Sequence, residues 1–186
     1  TRLYREIGRE LAVARQIQES LFPACGERGA IRVDYSFKPM HEIGGDFVFV
    51  WPRERTNDAT PVTVVVMDIT GHGVAAALTV NRLSGELERL VGEHGARGPA
   101  ALLSALNRYF ELTLQRHGIF ATALALVVDE QAKTLTWANA GHPAGIVVRD
   151  NVVVLRLKSS TTMLGALDAE AFELSLIHIS EPTRQK

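Results

Sequence analysis

The stretch Val62-Thr63-Val64-Val65-Val66-Met67-Asp68-Ile69-Thr70-Gly71-His72-Gly73 decides the fold. Val62–Ile69 is too rich in β-branched and apolar residues for a sheet with one wet face, so it reads as a central strand. The strand delivers Asp68 at its end, turns on glycine and enters a helix. A carboxylate ending a buried strand is costly unless something positive meets it, and a divalent cation would do so. The side-chain oxygens of Asp68 or Thr70 could instead satisfy the orphan amides of the helix. His72 reads as a turn-packing residue. Gly71-His72-Gly73 is too short for a Walker loop and lacks its lysine.

Working outward, helical spacing places amphipathic helices over Gly73–Val91 and Pro99–Leu114. Val80, Leu83, Leu87 and Leu90 line one face, and Leu103, Leu106 and Phe110 line the other. Strands are expected at Ile31–Phe37, Asp46–Trp51, Ile119–Asp129, Thr134–Asn139, Gly145–Arg149 and Val152–Leu157, with short turns such as Asp150-Asn151 between them. Gly26 and Gly29 mark a loop. The result is an α+β chain with mostly antiparallel sheet and a helical pair inserted between two groups of strands.

Residues 1–22 read as a helix ended by Pro23, with Leu3, Ile7, Ala14, Ile17 and Leu21 at helical spacing. The stripe also fits roughly three heptads, near the minimum for a coiled coil, so self-association competes with packing on its own domain. The 186 residues suit one domain plus an appended element. With 20 Lys+Arg against 21 Asp+Glu, bulk charge does not hold this chain to nucleic acid or to a membrane surface. No run of residues is long and apolar enough to span a bilayer, and no signal peptide is visible. The lone Cys25 permits no intramolecular disulfide and no thiolate zinc cage, and a cytoplasmic location is expected. The chain begins with Thr1 and reads as a fragment of something longer upstream.

Two further constellations could carry chemistry. In Glu42-Ile43-Gly44-Gly45-Asp46-Phe47, the paired glycines let the backbone come close to a neighbour, and Asp46 opens a strand; a plain β-turn with a local Asp bond reads equally well. In Trp137-Ala138-Asn139-Ala140-Gly141-His142-Pro143, His142 could donate a proton, bind a phosphate or simply pack in its turn. Asp46 and Asp68 together make an oxygen-rich site, which suits Mg²⁺ or Mn²⁺ rather than zinc. Such ions activate water and steady phosphoryl oxygens. No Gly-x-Ser-x-Gly elbow, Rossmann fingerprint or His-Glu-x-x-His is present.

In order along the chain, these motifs resemble the SpoIIE-type (RsbU-like) branch of the metal-dependent PPM protein phosphatases. Ala14-Arg15-Gln16-Ile17-Gln18-Glu19-Ser20-Leu21-Phe22-Pro23 is similar to the family's linker helix ending "IQ..LLP". Ile43-Gly44-Gly45-Asp46-Phe47 resembles "VGGDFYD", and Asp68-Ile69-Thr70-Gly71-His72-Gly73 with Ala75–Leu78 resembles "DVSGHG..AAL". Leu106-Asn107 resembles "LN", Phe120-Ala121-Thr122-Ala123 "F.T.", and Asn139-Ala140-Gly141-His142-Pro143 "NAGHPP". The resemblance implies an α-β-β-α sandwich of two mostly antiparallel sheets. It also implies hydrolysis of phosphoserine or phosphothreonine on a protein of the anti-sigma-factor antagonist type, in bacterial partner switching. Two Mn²⁺ or Mg²⁺ ions would serve the complete domain, with an upstream sensor domain and a homodimer through residues 1–22. Carried over by position, Asp46 and Asp68 bind metal and catalyse, the Ile69 carbonyl is a further ligand, and Gly44, Gly45, Gly71, His72, Gly73, Asn139, Gly141 and His142 shape the site. A water, not a protein nucleophile, attacks phosphorus.

The chain departs from the pattern in two ways. The second Asp of "GGDFYD" falls at Phe49, and the family's "GD…TDG" segment, which supplies further carboxylates, has no counterpart after Gly165. Leu174–Lys186 resembles a translated sequencing adapter instead. The expected organisation is therefore a linker helix over 1–23, a partial phosphatase domain over 24–174, incomplete at its C-terminus, and a non-native tail over 175–186 that packs badly or not at all. The departures leave a rival reading, a catalytically inactive module that only binds its partner. A two-carboxylate nucleotide cyclase is a more distant alternative that the Asn139–Pro143 turn fits poorly.

Overall fold

The computed structural model describes residues 2–38, 44–54, 60–71, 73–159, 161–167 and 172–178. In chain order the elements are α1 (Arg2–Leu21), β1 (Gly26–Arg28), β2 (Ile31–Val33), β3 (Asp46–Trp51), β4 (Val62–Ile69), α2 (Val74–His94), α3 (Pro99–Thr113), β5 (Ala121–Asp129), β6 (Thr134–Ala140), β7 (Gly145–Arg149), β8 (Val152–Leu157) and β9 (Ser175–His178). As the apolar run of β4 demands, that strand is paired on both sides within an antiparallel sheet of order β3-β4-β5-β6-β9.

One face of this sheet carries α2 and α3. Phe47, Phe49, Val65, Met67 and Ile69 point inward to meet Val80, Leu83, Leu87, Leu103, Leu106 and Phe110 in the main core. The other face meets a smaller cluster, in which Leu124, Trp137 and Leu157 pack with Val147, Leu155 and Ile177. There the hairpin β7-β8 supplies the second layer, while β1-β2 forms a two-stranded sheet of its own. Asp150 and Asn151 both adopt positive φ (49° and 60°), the conformation of a two-residue hairpin turn, and this joins β7 to β8. The architecture is the expected α+β fold with antiparallel sheets.

Three details differ from the sequence expectations. The strand expected over Ile31–Phe37 is paired only as far as Val33, and the Gly26–Gly29 region is not a plain loop but contributes β1. Gly29 turns this hairpin at a φ of 62°. The pin is Arg28, only 1% exposed. Its guanidinium donates to the carbonyls of Pro52 (2.6 Å), Arg53 (2.7 Å), Ala24 (3.0 Å) and Gly26 (3.3 Å), tying β1 to the end of β3. The third difference lies after Leu174, where four residues pack: Ser175–His178 pair antiparallel with β6, setting Ile177 opposite Leu135. The free edge of β6 supplies the amides and carbonyls that an extended apolar segment needs.

Helix α1 packs on α2. Among residues 8–21 of this helix the buried residue is polar, Gln18, at 3% exposure, flanked by half-buried Ala14 and Leu21, whereas Ile17 stands 50% exposed. Phe22 follows the helix, stacks on Tyr35 (centroids 5.8 Å apart), tilts against Phe37 (4.5 Å) and meets Phe47 edge-on (5.7 Å). Among the described residues no helix is long and apolar enough to cross a membrane.

Because Arg28 fills four carbonyl acceptors at once, Arg28→Met is expected to cost about 2–4 kcal/mol, and Lys, a point donor without the planar fork, will not restore it. Chemical denaturation measures this; a loss under about 0.5 kcal/mol would show that those carbonyls find other donors.

Candidate metal centre

Asp46 opens β3 and Asp68 closes β4, and the antiparallel register places them directly opposite each other. Thr122 on β5 is in turn the partner of Asp68. Directly opposed residues project to the same face, so Asp46, Asp68 and Thr122 form one row across the sheet end. This face lies opposite the helices. His142, just past β6, leans back over the row, and its Nδ1 lies 2.8 Å from Thr122 Oγ1.

The electrostatics agree with the geometry. Burial, and then the neighbouring Asp68, raise the Asp46 pKa above its ordinary value, and His142 opposes this. Burial lowers the His142 pKa, against the pull of Asp68 and Asp46. An open cleft of about 320 Å³ runs beside these groups, with Ser36, Phe37, Lys38, Asp46 and His142 on its walls. Like charges set opposite each other repel, and a divalent cation would reverse the sign of that interaction. Among the described residues no three His, Cys, Asp or Glu side chains gather closely enough to hold a metal ion. The donor set is thus two carboxylates with backbone carbonyls nearby. It fits a hard cation such as Mg²⁺, which keeps most of its waters and takes one or two carboxylates.

The backbone around the two aspartates is shaped by glycine. A Cβ on Gly45 would lie 2.5 Å from the Ile69 carbonyl oxygen, so only glycine permits this approach. The Ile69 amide donates to the Gly45 carbonyl at 3.2 Å, closing the strand pair at the site. Gly71 and Gly73 have φ of 98° and 71°, which suit glycine at the turn into α2. Gly73 is the N-cap of α2, and no side chain caps the helix. Thr70 Oγ1 instead accepts from the Phe120 amide at 3.0 Å. Neither Asp68 nor Thr70 caps the helix, so the capping alternative raised by the sequence does not hold.

Other sequence candidates act as supports. Asn139 Oδ1 accepts the His142 amide at 2.8 Å, and its Nδ2 donates to the carbonyls of His142 (3.1 Å) and Leu157 (3.0 Å). Gly141, at a φ of 64°, donates its amide to Ser159 Oγ at 2.8 Å, and Ser159 donates to the Asn139 carbonyl at 3.0 Å. Asn107 is buried far from the row, where its Oδ1 accepts the Gly165 amide at 2.7 Å. Gly44 is held by Gln18, whose Nε2 donates to the Gly44 carbonyl at 2.6 Å while its Oε1 accepts the Gly44 amide at 3.3 Å. Phe49, where the family pattern has an acid, is buried in the helix-side core. Glu42, Ile43 and His72 lie outside the described residues. Sequence reasoning missed the roles of Gln18, Thr122 and Ser159. Gln18 did leave a signal, since it sits between Ala14 and Leu21 on the packing face of an amphipathic helix.

Comparison with known proteins places this geometry in context. The family model for stage II sporulation protein E (SpoIIE) matches residues 58–182. The phosphoserine phosphatase RsbP of Bacillus subtilis is 23% identical over 181 residues, covering 95% of this chain and 43% of that protein. The chain therefore spans less than half the length of that relative. Among solved structures, the SiaA-PP2C domain of Pseudomonas aeruginosa superposes with a TM-score of 0.73 at 21% identity, covering 96% of this chain and 69% of that one. RsbX in complex with magnesium superposes with a TM-score of 0.57 at 16% identity, covering 75% and 62%.

Two predictions follow from the packing of the site. Gly45→Ala forces β3 and Ile69 apart and is expected to destabilise the protein by about 1–3 kcal/mol, read by denaturant unfolding; an unchanged midpoint would show the approach to be slack. For metal-free protein, the raised Asp46 pKa means that folding disfavours its carboxylate form. That penalty is absent below the unfolded carboxylate pKa of about 3.9 and sets in as pH rises through the folded value. Asp46→Asn should therefore raise the melting temperature at neutral pH and have no such effect at about pH 3. A lower melting temperature for the Asn variant at neutral pH would contradict the electrostatic reading.

Proposed function

The chain belongs to the SpoIIE family, and from that premise we propose that its site hydrolyses phosphoserine or phosphothreonine on a regulatory protein, using Mg²⁺ or Mn²⁺. The observation that carries this reading is the pairing of Asp46 with Asp68 across adjacent strands, beneath the His142 ring. The magnesium of RsbX supports the class of ion, and the phosphoserine phosphatase RsbP supports the class of bond.

Each residue has a role in this proposal. Asp46 and Asp68 hold the cation, and the Ile69 carbonyl, against which Gly45 packs, is a further ligand. When bound, the ion would lower the pKa of a water and neutralise phosphoryl oxygens. His142 faces the same cleft and can donate a hydrogen bond to a phosphoryl oxygen. Gly71 and Gly73 shape the turn after Asp68. The substrate proposed is a small phosphoprotein of the anti-sigma-factor antagonist type in cytoplasmic partner switching, and an upstream sensor would govern the site. In this proposal residues 1–23 are the linker helix, 24–174 the catalytic unit and 175–186 a tail foreign to it. Two aspartates hold two divalent ions only weakly, so this chain is expected to bind Mn²⁺ weakly and to turn over slowly. Self-association is proposed through the face of α1 that bears Val13 and Ile17, both at least half exposed.

The test is release of phosphate from a phosphoserine protein at millimolar Mn²⁺ beside calorimetric Mn²⁺ titration. Asp68→Asn is expected to reduce both release and Mn²⁺ binding on the order of 100-fold or more. Turnover unchanged by that substitution, or turnover without metal, would contradict the proposal. Weak ion binding with no turnover would favour the rival partner-binding module. For α1, Ile17→Glu is expected to convert a dimer to a monomer without loss of fold, read by sedimentation; a wild-type chain already monomeric at high concentration would defeat the dimer.

A further inference from the structure

Thr122 stands at the junction of the strand carrying Asp68 and the turn carrying His142. Its position is set by the β4–β5 register, which opposes it to Asp68. Its side chain reaches one partner of consequence, the Nδ1 of His142, at 2.8 Å. The His142 backbone is already clamped on both sides: its amide donates to Asn139 Oδ1 at 2.8 Å and its carbonyl accepts from Asn139 Nδ2 at 3.1 Å. With the backbone fixed, what remains to be set is the ring itself, both its rotation and which nitrogen bears the proton.

We propose that Thr122 is a positioning residue whose hydroxyl donates to His142 Nδ1, so that the neutral ring carries its proton on Nε2 and offers it to the cleft of Asp46 and Asp68. The surrounding charge fixes the direction of that bond. A neutral imidazole has one donor and one acceptor, and a hydroxyl can serve either. The acidic groups nearby are carboxylates: Asp68 lies opposite Thr122 in the sheet, and Asp46, beside it, shares the cleft wall with His142. An N–H turned toward carboxylates is favoured over a lone pair turned toward them, so Nε2 takes the proton and Nδ1 accepts from Thr122. Threonine suits the task because branching at Cβ restricts χ1, which places the hydroxyl before the ring arrives. This inference rests on the hydrolytic reading only for what the Nε2 donor meets, an anionic phosphoryl oxygen. The tautomer itself does not depend on it.

The test uses the full 186-residue chain, ¹⁵N-labelled and metal-free, above about pH 8, where an imidazole is neutral. Long-range ¹H–¹⁵N spectra report the tautomer of each histidine, and the His142 signals are assigned by their absence in His142→Gln. The expected wild-type ring is protonated on Nε2. Thr122→Val, which keeps the shape and removes the hydroxyl, is expected to give a mixture of tautomers, and Thr122→Ser to restore the single one. If the valine variant does not fold, Thr122→Ala makes the same comparison. A wild-type ring protonated on Nδ1, a tautomer unchanged by loss of the hydroxyl, or a serine variant that behaves like valine would each overturn the proposal. Where turnover is measurable, kcat is expected to fall about tenfold in Thr122→Val with KM little changed, and to recover in Thr122→Ser. The expected tautomers in a chain without turnover would support the positioning role and count against the hydrolytic reading alone.

Discussion

The register between β3 and β4 is the constraint on which the rest of the site depends. A slip of β3 by one residue would turn Asp46 into the helix-side core, away from Asp68, and bring Phe47 and Phe49 out. The pairing of two acids works against this register by roughly 0.2–1 kcal/mol, the usual cost of like charges directly opposed. The opposing term is larger. Phe47, Phe49, Val65 and Met67 are all buried on the other face, each contributing about 1.5–3 kcal/mol relative to exposure. Burial therefore wins, and the carboxylate pair is a consequence of the hydrophobic alternation beside it. At the very end of the pair, the missing Cβ of Gly45 permits the last backbone bond, from the Ile69 amide to the Gly45 carbonyl.

The strand that opens on Asp46 is also held from outside the sheet. Gln18 of α1 grips Gly44 through both its amide atoms. Phe22 packs its ring against Phe47. At the far end of β3, Arg53 donates to the Leu21 carbonyl at the end of α1 (3.3 Å) and pairs with Glu88 of α2 (2.5 Å), while Arg28 holds the Pro52 and Arg53 carbonyls. The first helix is thus joined to both ends of the strand that carries one member of the acidic pair. The half-exposed Arg53–Glu88 pair adds little on its own; the buried amide and guanidinium contacts carry the attachment.

Periodicity in the sequence was sufficient for the central strand, the two core helices and the hairpin turn at Asp150-Asn151, because each has a strong local signal. It was also sufficient to single out Asp46 and Asp68, since an acid at the end of an apolar strand stands out. What could not be read were pairings between segments far apart. The three-residue β1 exists because Arg28 finds carbonyls about 25 residues away. The strand Ser175–His178 exists because β6 offers an edge, which no local propensity reports. Thr122 and Ser159 look like ordinary strand and loop residues until the fold brings them to His142 and Gly141. Helix α1 showed an apolar stripe, yet Gln18 is buried at its centre, because the amide and carbonyl of Gly44 lie beneath it.

The central claim is that Asp46, Asp68 and His142 share one cation-dependent site. Paramagnetic broadening of backbone amide signals by substoichiometric Mn²⁺ tests it most directly, because the ion marks its own position. The account predicts broadening confined to residues around Gly44–Asp46, Asp68–Gly71 and Gly141–His142, reversed by excess Mg²⁺. Broadening centred on other acidic residues, or none at concentrations of Mn²⁺ that saturate the chain, would contradict it.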